Sequence, residues 1–267
     1  MRAANIGPSS LAIASYNTST IGGGVRFGVP VTEYNTVNYG LAYERTKIGL
    51  RPGTPQRYVD FVNEFGEQTD TILGSVGWAR DKRDSVIYTT RGTFQRITAD
   101  VGLPGADLTY YRTNLQHQWY YPFTREYTLH FNGQIGYADG YGNKPLPFYK
   151  VFYLGGVNSV RGYATASIGP KDSNGDSLGG SHLLLANLEF LFPFPGLAND
   201  RSVWLSVFVD AGVVGETYDF GEMRYSTGLA FNWFSPVGPL KLSFGKALNP
   251  EREDRLQRIQ FTLGTTF

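Results

Sequence analysis

Apolar and polar side chains alternate along most of this 267-residue chain. A period of two is typical of β-strands with one apolar and one polar face. The last segment shows it most clearly, with Ile259, Phe261, Leu263 and Phe267 on one face and Arg258, Gln260, Thr262, Gly264 and Thr266 on the other. Eleven such segments are predicted, at about residues 18–30, 35–48, 70–83, 91–103, 107–121, 126–139, 180–192, 202–215, 222–234, 239–247 and 256–267. A weaker twelfth lies within residues 8–15, so the chain is predicted to be all-β.

Two features of these segments favour a transmembrane barrel over a soluble sandwich, which would also alternate. The polar face carries small, amide and charged residues that suit a wet lumen, and aromatic residues stand near the segment ends of the apolar face. The segments average about 11 residues, which is long for a globular sheet and right for a tilted membrane span. We therefore expect lipid to cover Leu229, Phe231, Leu242, Phe244, Phe261 and Leu263, and the interior to receive Asn187, Glu189, Asn232, Lys241 and Gln260.

The connections between segments alternate in length, as they do on the two sides of an outer-membrane barrel. Tight turns rich in proline, glycine and asparagine stand on one side, whereas residues 49–69 and 140–179 form long loops. Within the first long loop, residues 54–66 space their apolar side chains like an amphipathic helix. An irregular loop fits the same residues.

Composition excludes several classes of function. The net charge is +1, so no charged field indicates nucleic acid. The chain has no cysteine, which excludes a disulfide scaffold, a thiol nucleophile and a zinc–thiolate site. There is no run of about 20 apolar residues for a membrane helix. The N-terminus lacks the apolar core of a signal peptide, so for a protein exported from the cytoplasm we expect such a peptide upstream.

Candidate catalytic and metal-binding residues are few. The stretch Asp172–Asp176 begins like a calcium loop, but the position that needs a glutamate is Leu183, so a polar turn is predicted. The histidines lie on separate segments without metal spacing and without an identifiable serine partner: His117, His130 and His182. No phosphate loop or nucleotide fingerprint is present. The sequence predicts no catalytic residue, no metal and no cofactor.

One motif carries a resemblance to a known family. Val160-Arg161-Gly162-Tyr163 lies in the second long loop, between PFYKVFYLGG (147–156) and IGPK, and SLGGSHLLLANLEFLFPFPG follows. Together with GVRFGVPVTEYNTVNYGLAY (24–43) and FNWFSPVGPLKLSFGKAL, these stretches resemble the BamA family of outer-membrane assembly factors in motif, order and spacing. The resemblance covers about residues 17–267.

The resemblance implies a transmembrane antiparallel β-barrel with a long loop that folds into the lumen. The family barrel has sixteen strands after a set of periplasmic POTRA domains, so we expect a truncated barrel with about 11–12 of them. Residues 1–17 would be a leftover external loop or weak extra strand, 18–267 the C-terminal barrel strands, and 140–179 the VRGY loop. With eleven strands the first and last run in the same direction. We therefore expect a twelfth strand to close the barrel, or a second copy to pair with the open edges.

The same resemblance implies a non-enzymatic protein of the Gram-negative outer membrane that folds and inserts β-barrel proteins. Family members are thought to part their first and last strands and to pair the opened edge with incoming strands. The implied partners are outer-membrane lipid, nascent barrel proteins and, in the full-length protein, POTRA domains and accessory lipoproteins. Three alternatives stay open: the translocation pore of a two-partner secretion system, the membrane anchor of a patatin-like phospholipase, and a barrel enzyme of the outer-membrane phospholipase type.

The resemblance also implies a role for the loop arginine. In the family this arginine meets acidic residues on the next two strands, and the matching positions are Glu189 and Asp210. Parity agrees, because an isolated carboxylate facing lipid would be costly and both should point inward. The implied loop anchor consists of Val160, Arg161, Gly162, Tyr163, Glu189 and Asp210, with Gly162 letting the backbone pass close to the wall. A solvated surface arginine is the alternative.

The C-terminal residues resemble the β-signal that the assembly machinery recognises in its clients. The matching positions are Gln260, Phe261, Leu263, Gly264 and Phe267. An ordinary last strand with a girdle aromatic fits the same residues, and the two interpretations are compatible.

Overall fold

The computed structural model describes residues 16–86, 89–196, 202–235 and 238–264. These ranges contain thirteen strands and one α-helix, α1 (Gln56–Phe65). The strands are β1 (Tyr16–Pro30), β2 (Asn35–Leu50), β3 (Gln68–Asp81), β4 (Gly92–Leu103), β5 (Tyr110–Pro122), β6 (Thr128–Gly140), β7 (Gly162–Tyr163), β8 (His182–Pro193), β9 (Val203–Gly215), β10 (Arg224–Ser235), β11 (Gly238–Ala247), β12 (Leu256–Gln257) and β13 (Ile259–Leu263).

Eleven of the strands form one antiparallel sheet in the order β1-β2-β3-β4-β5-β6-β8-β9-β10-β11-β13. They correspond to the eleven predicted segments, so the predicted all-β antiparallel architecture is confirmed. β1 and β13 stand at the two ends of this order. The expected pairing of their edges, with a twelfth strand or with a second copy, stays a prediction. The weak segment at residues 8–15 lies outside the described residues.

The polarity of the two faces of the sheet is the reverse of that in a soluble domain, because the buried face is polar and the exposed face is apolar. Polar side chains of the inner face are buried with 3% to 9% of their surface exposed, and they include Asn187, Glu189, Asn232, Lys241 and Gln260. Apolar side chains of the outer face are more than half exposed at Leu229, Phe261 and Leu263. A continuous apolar surface of this kind needs a covering of lipid.

The long loop between β6 and β8, residues 141–181, lies on the inner face. Its apolar side chains form a core with residues of β6, β8 and β9, made up of Ala138, Phe152, Leu154, Val160, Tyr163, Ile168, Leu183, Leu185 and Val214. The loop therefore supplies the apolar packing that a polar inner face cannot provide by itself, and it brings its own main chain against the strands.

The helical interpretation of residues 54–66 is confirmed by α1. Tyr58, Phe61 and Val62 are its buried residues, and the ring of Tyr58 stacks on Phe148 with centroids 4.1 Å apart. Gly66 ends the helix with a φ of +88°, a conformation that favours glycine. The helix thereby ties the β2–β3 loop to the β6–β8 loop. In the described ranges, no helix is long and apolar enough to cross a membrane.

The prediction of one unbroken strand over residues 256–267 is wrong. β13 pairs with β11, but β12 pairs with β7 of the long loop, Gln257 opposite Gly162. The break falls at Arg258, whose main-chain oxygen accepts from the N–H of Gly245 at 2.8 Å. The alternation of apolar and polar side chains indicates which face of a strand is apolar, but it does not indicate which strand pairs with it. The pattern therefore could not reveal that the pairing partner changes from β7 to β11. Residues 265–267, including Phe267, lie outside the described part of the chain.

Candidate functional site

Arg161 is buried against the inner face of β8 and β9, with 1% of its surface exposed. Its Nε and Nη2 donate to the two carboxylate oxygens of Asp210 at 2.8 and 2.6 Å. Its Nη1 lies 2.6 Å from Oε1 of Glu189, and its main-chain N–H donates to Oδ2 of Asp210 at 3.0 Å. One guanidinium therefore meets both carboxylates, and it meets Asp210 in a fork geometry that lysine cannot reproduce.

The pairing of β8 with β9 brings the two carboxylates together. Asn187 stands opposite Asp210, and Glu189 stands opposite Phe208. Val209 points outward with 49% of its surface exposed, so its neighbours in sequence point inward. The strands thus carry the acidic groups at fixed positions, and the loop brings the arginine to them.

Two further residues complete the surroundings of Arg161, and sequence analysis did not assign either of them a contact. Phe208 lies beneath the guanidinium, whose Cζ is 3.5 Å from the ring centroid. Asn187 donates to Oδ1 of Asp210 at 2.9 Å and to the main-chain oxygen of Ser159 at 2.8 Å. Phe208 shares the parity of Asp210, which is the signal that could have placed it inside.

Lys241 of β11 adds a second cation to the cluster. Its Nζ lies 3.5 Å from Oε1 of Glu189. The four charged groups, Arg161, Lys241, Glu189 and Asp210, sum to zero formal charge. Although burial opposes the charged form, the carboxylates of Glu189 and Asp210 raise the pKa of Arg161 above its ordinary value. Pairing of every charge is the condition under which buried ions are tolerated.

The other motif residues hold the loop close to the strands. Gly162 has a φ of +89°, and a Cβ there would lie 3.1 Å from the carbonyl carbon of Gly245 on β11. Val160 is fully buried, and its Cγ2 would lie 3.0 Å from a Cβ built on Gly212 of β9. Tyr163 is also fully buried. The motif therefore fills a narrow space in which only glycine fits at the crossing point.

Gln260 points from β13 into the loop. Its Nε2 donates to the main-chain oxygen of Tyr163 at 2.6 Å, and its Oε1 accepts from the N–H of Gly162 at 3.4 Å. The other described residues of the predicted β-signal lie on the outer side of β13 or just after it: Phe261, Leu263 and Gly264. The end strand and the VRGY motif are therefore in direct contact.

Comparison with known proteins identifies the family. The sequence profile described as the Omp85 superfamily domain matches residues 9–267. The chain belongs to the Omp85 superfamily. This Omp85 chain is 40% identical to the outer membrane protein assembly factor BamA of Neisseria meningitidis serogroup B. The alignment covers 97% of the chain and 38% of that protein, so the chain spans about two-fifths of the relative's length.

Solved structures share the fold of this Omp85 chain. BamA from Haemophilus ducreyi lacking POTRA domains 1–3 matches with a TM-score of 0.89 at 28% identity, over 97% of this chain and 57% of that one. CdiB from Acinetobacter baumannii matches with a TM-score of 0.57 at 14% identity, over 92% of this chain and 41% of that one, which shows the fold alone. The chain is thus the β-barrel part of an outer-membrane protein of Gram-negative bacteria. The predicted family, fold class and location are confirmed.

Asp172 and His130, two other candidate residues of this Omp85 chain, make contacts that explain their positions structurally. Asp172 Oδ1 accepts from the main-chain N–H groups of Asn174 and Asp176 at 3.0 and 2.7 Å, which describes a polar turn. His130 stacks on Tyr120 with ring centroids 4.2 Å apart and lines a cavity of about 270 Å³ next to the loop. Within the described ranges, no three acidic, histidine or cysteine side chains are grouped to hold a metal.

Proposed function

We propose that this chain is the C-terminal barrel portion of a BamA-like insertase, which folds and inserts β-barrel proteins into the outer membrane. The observation that carries the proposal is the position of β13 at one end of the hydrogen-bonded sheet. In the described part of the chain, β13 uses one edge to pair with β11. The 40% identity to a BamA protein supports the same function.

The second edge of β13 is the proposed point of contact with a client. A strand edge presents N–H and C=O groups that template the pairing of a further strand. Such groups cannot stay unsatisfied in lipid, where each costs several kcal/mol. An incoming strand satisfies them by β-augmentation, and Phe261 and Leu263 already face the lipid that the client enters. No covalent step is needed, so the proposed function is non-enzymatic.

The VRGY motif is the proposed anchor that keeps the loop in the lumen during this exchange. The contacts of Arg161 with Glu189 and Asp210 are buried, so releasing the loop would leave two carboxylates without this partner. Val160, Gly162 and Tyr163 support the anchor by filling the space around it.

We call β13 the seam strand. In the same proposal, the β-signal lies on this strand and on the residues that follow it in the sequence. The residues of the signal are Gln260, Phe261, Leu263, Gly264 and Phe267.

The proposed partners follow from this mechanism. They are outer-membrane lipid on the outer face and nascent barrel proteins at the seam strand. In the full-length protein we include periplasmic POTRA domains and accessory lipoproteins, since the chain spans 38% of the BamA relative. The net charge of +1 gives no reason to include nucleic acid.

Disulfide capture tests the proposal, because the chain contains no cysteine. Thr262→Cys in the full-length protein places a single thiol on β13. We expect a client with one cysteine in its terminal strand to form a mixed disulfide with it during insertion into proteoliposomes. Asn114→Cys is the matched control, because β5 pairs with a neighbour on both edges there and should capture no client.

Capture that is equal at the two positions, or missing at both, contradicts an insertase and favours one of the other barrel functions. The translocation pore and the phospholipase anchor would both leave the seam strand without a client strand. The likeness to CdiB concerns the fold alone and adds no support for either.

A further inference from the structure

The last strand is shared between the barrel wall and the VRGY loop. β13 belongs to the wall, whereas Gln257 of β12 stands opposite Gly162 of the loop. The N–H of Ala164 donates to the main-chain oxygen of Arg255 at 2.8 Å, which lengthens the short ladder between loop and strand. The change of partner occurs at Arg258. The residues next to Arg161 are therefore paired with the residues that lead into the seam strand.

Gln260 bridges the two ladders with its side chain. Its amide donates to the oxygen of Tyr163 and accepts from the N–H of Gly162, which is the pattern a neighbouring strand would offer. Only 3% of Gln260 is exposed, so water competes little for these bonds. The side chain of Gln260 therefore replaces one pair of main-chain hydrogen bonds between the loop and the last strand.

The loop main chain also touches β11 directly. A Cβ on Gly245 would lie 2.6 Å from the nitrogen of Gly162 and 2.9 Å from the carbonyl carbon of Arg161. The N–H of Gly245 donates to the oxygen of Arg258. The motif, the break in the last strand and β11 thus meet at one point, with no side chain between their backbones.

We propose that Gln260 is a positioning residue that couples the seating of Arg161 to the position of the seam strand. Gly162 is held from one side by its neighbour Arg161, which is fixed to Asp210, and from the other side by Gln260. The loop cannot move away from the strands without breaking its hydrogen bonds to Gln260 of β13. The inference rests on the proposed function, in which this strand meets the client, and it identifies what sets the strand's position.

Hydrogen exchange of the full chain in lipid bilayers tests the coupling. Gln260→Leu keeps the size of the side chain and removes both bonds. We expect exchange in residues 162–164 and 255–260 to rise about tenfold or more, as the loss of one or two buried hydrogen bonds implies. β8 and β9 should exchange as in the unsubstituted chain, because Arg161 keeps its carboxylates. Asn232→Leu removes a buried amide of the inner face on β10 and is the matched control, with no change expected in either segment.

Gln260→Glu separates a hydrogen-bonding role from a steric one. The carboxylate still accepts from Gly162 but repels the oxygen of Tyr163, so exchange should rise at neutral pH. Well below a pH of about 4.3, the ordinary pKa of glutamic acid, most of the carboxyl groups are protonated and regain a donor. Exchange should then return to that of the unsubstituted chain at the same pH. Exchange unchanged at both pH values, or raised by Gln260→Leu equally in β8 and β9, would overturn the proposal.

Exchange needs no client, so this test is independent of insertion. If exchange rises as expected and Thr262→Cys captures no client, the coupling stands and the insertase proposal fails. If exchange is unchanged while capture succeeds, the insertase proposal stands and the coupling is wrong.

Discussion

The guanidinium carbon of Arg161 lies 3.5 Å from the ring centroid of Phe208. Phe208 is an apolar residue between the inward-facing Ser206 and Asp210, and all three are buried. The flat face of the Phe208 ring covers one side of the planar guanidinium of Arg161. The carboxylates of Glu189 and Asp210 bind the edges of the guanidinium. The ring therefore shields the ion contacts of the loop from water.

Phe208→Leu removes the ring and keeps an apolar side chain. We expect the free energy of unfolding to fall by about 1–2 kcal/mol, because the cation–π contact is lost and the space refills only in part. Denaturant unfolding in detergent, followed by tryptophan fluorescence, measures the change. Val209→Leu on the lipid-facing side is the control, with an expected change within about 0.5 kcal/mol. Equal losses in the two variants would contradict a special role for the ring.

Arg161→Ala should release the loop, because both carboxylates lose their shared cation. Breaking a buried ion pair by removing one partner costs about 3–5 kcal/mol. We expect protease cleavage between Gly155 and Gly180 to become faster while the strands stay protected. Arg161→Lys should restore only part of the protection, since a lysine cannot bind two carboxylate oxygens in fork geometry. Unchanged cleavage in Arg161→Ala would mean that other contacts seat the loop.

The two carboxylates should respond differently in double variants. Without Arg161, Glu189 still has Lys241 at 3.5 Å, whereas Asp210 keeps a hydrogen bond from Asn187 but loses the only ion pair described for it. Adding Asp210→Asn to Arg161→Ala should therefore recover more stability than adding Glu189→Gln. Double-mutant cycles of unfolding free energy measure the difference. Equal recovery would show that Lys241 does not compensate for the lost arginine.

Gly245→Ala should displace the VRGY loop from β11. The added methyl group would lie 2.6 Å from the nitrogen of Gly162, and backbone cannot give way as a flexible side chain can. Overpacking of this kind costs about 1–3 kcal/mol. Gly23→Ala on β1 is the matched control, because no heavy atom lies within 4 Å of its Cβ position. Thermal unfolding of the two variants in detergent distinguishes a steric clash from a general effect of alanine.

Leu229→Arg places a charge on the lipid-facing side of β10. A charge near the bilayer midplane costs about 2–4 kcal/mol in a barrel, and we expect a loss of that order in folding into lipid vesicles. Thr98→Arg on the inner face of β4 is the comparison and should cost less, because the lumenal side admits water. A similar cost at both positions would contradict the assignment of the faces.

The strands and their faces could be predicted from the sequence because alternation is a local property of a pleated backbone. Gln260 inward and Phe261 outward follow from their immediate neighbours. The helix at Gln56–Phe65 follows in the same way from the spacing of its apolar side chains. The pairing of Arg161 with Glu189 and Asp210 was expected from the family resemblance together with parity, and the structure places these three groups in contact.

Only the tertiary structure decided what the inward side chains meet. Lys241 reaches Glu189 although their strands, β11 and β8, are separated by two others, which requires the curvature of the whole sheet. The break at Arg258 and the contacts of Gln260 depend on the path of the loop main chain, and residues distant in sequence determine that path by packing. A period of two assigns each side chain to a face, but it holds no information about which backbone or charge lies across the lumen.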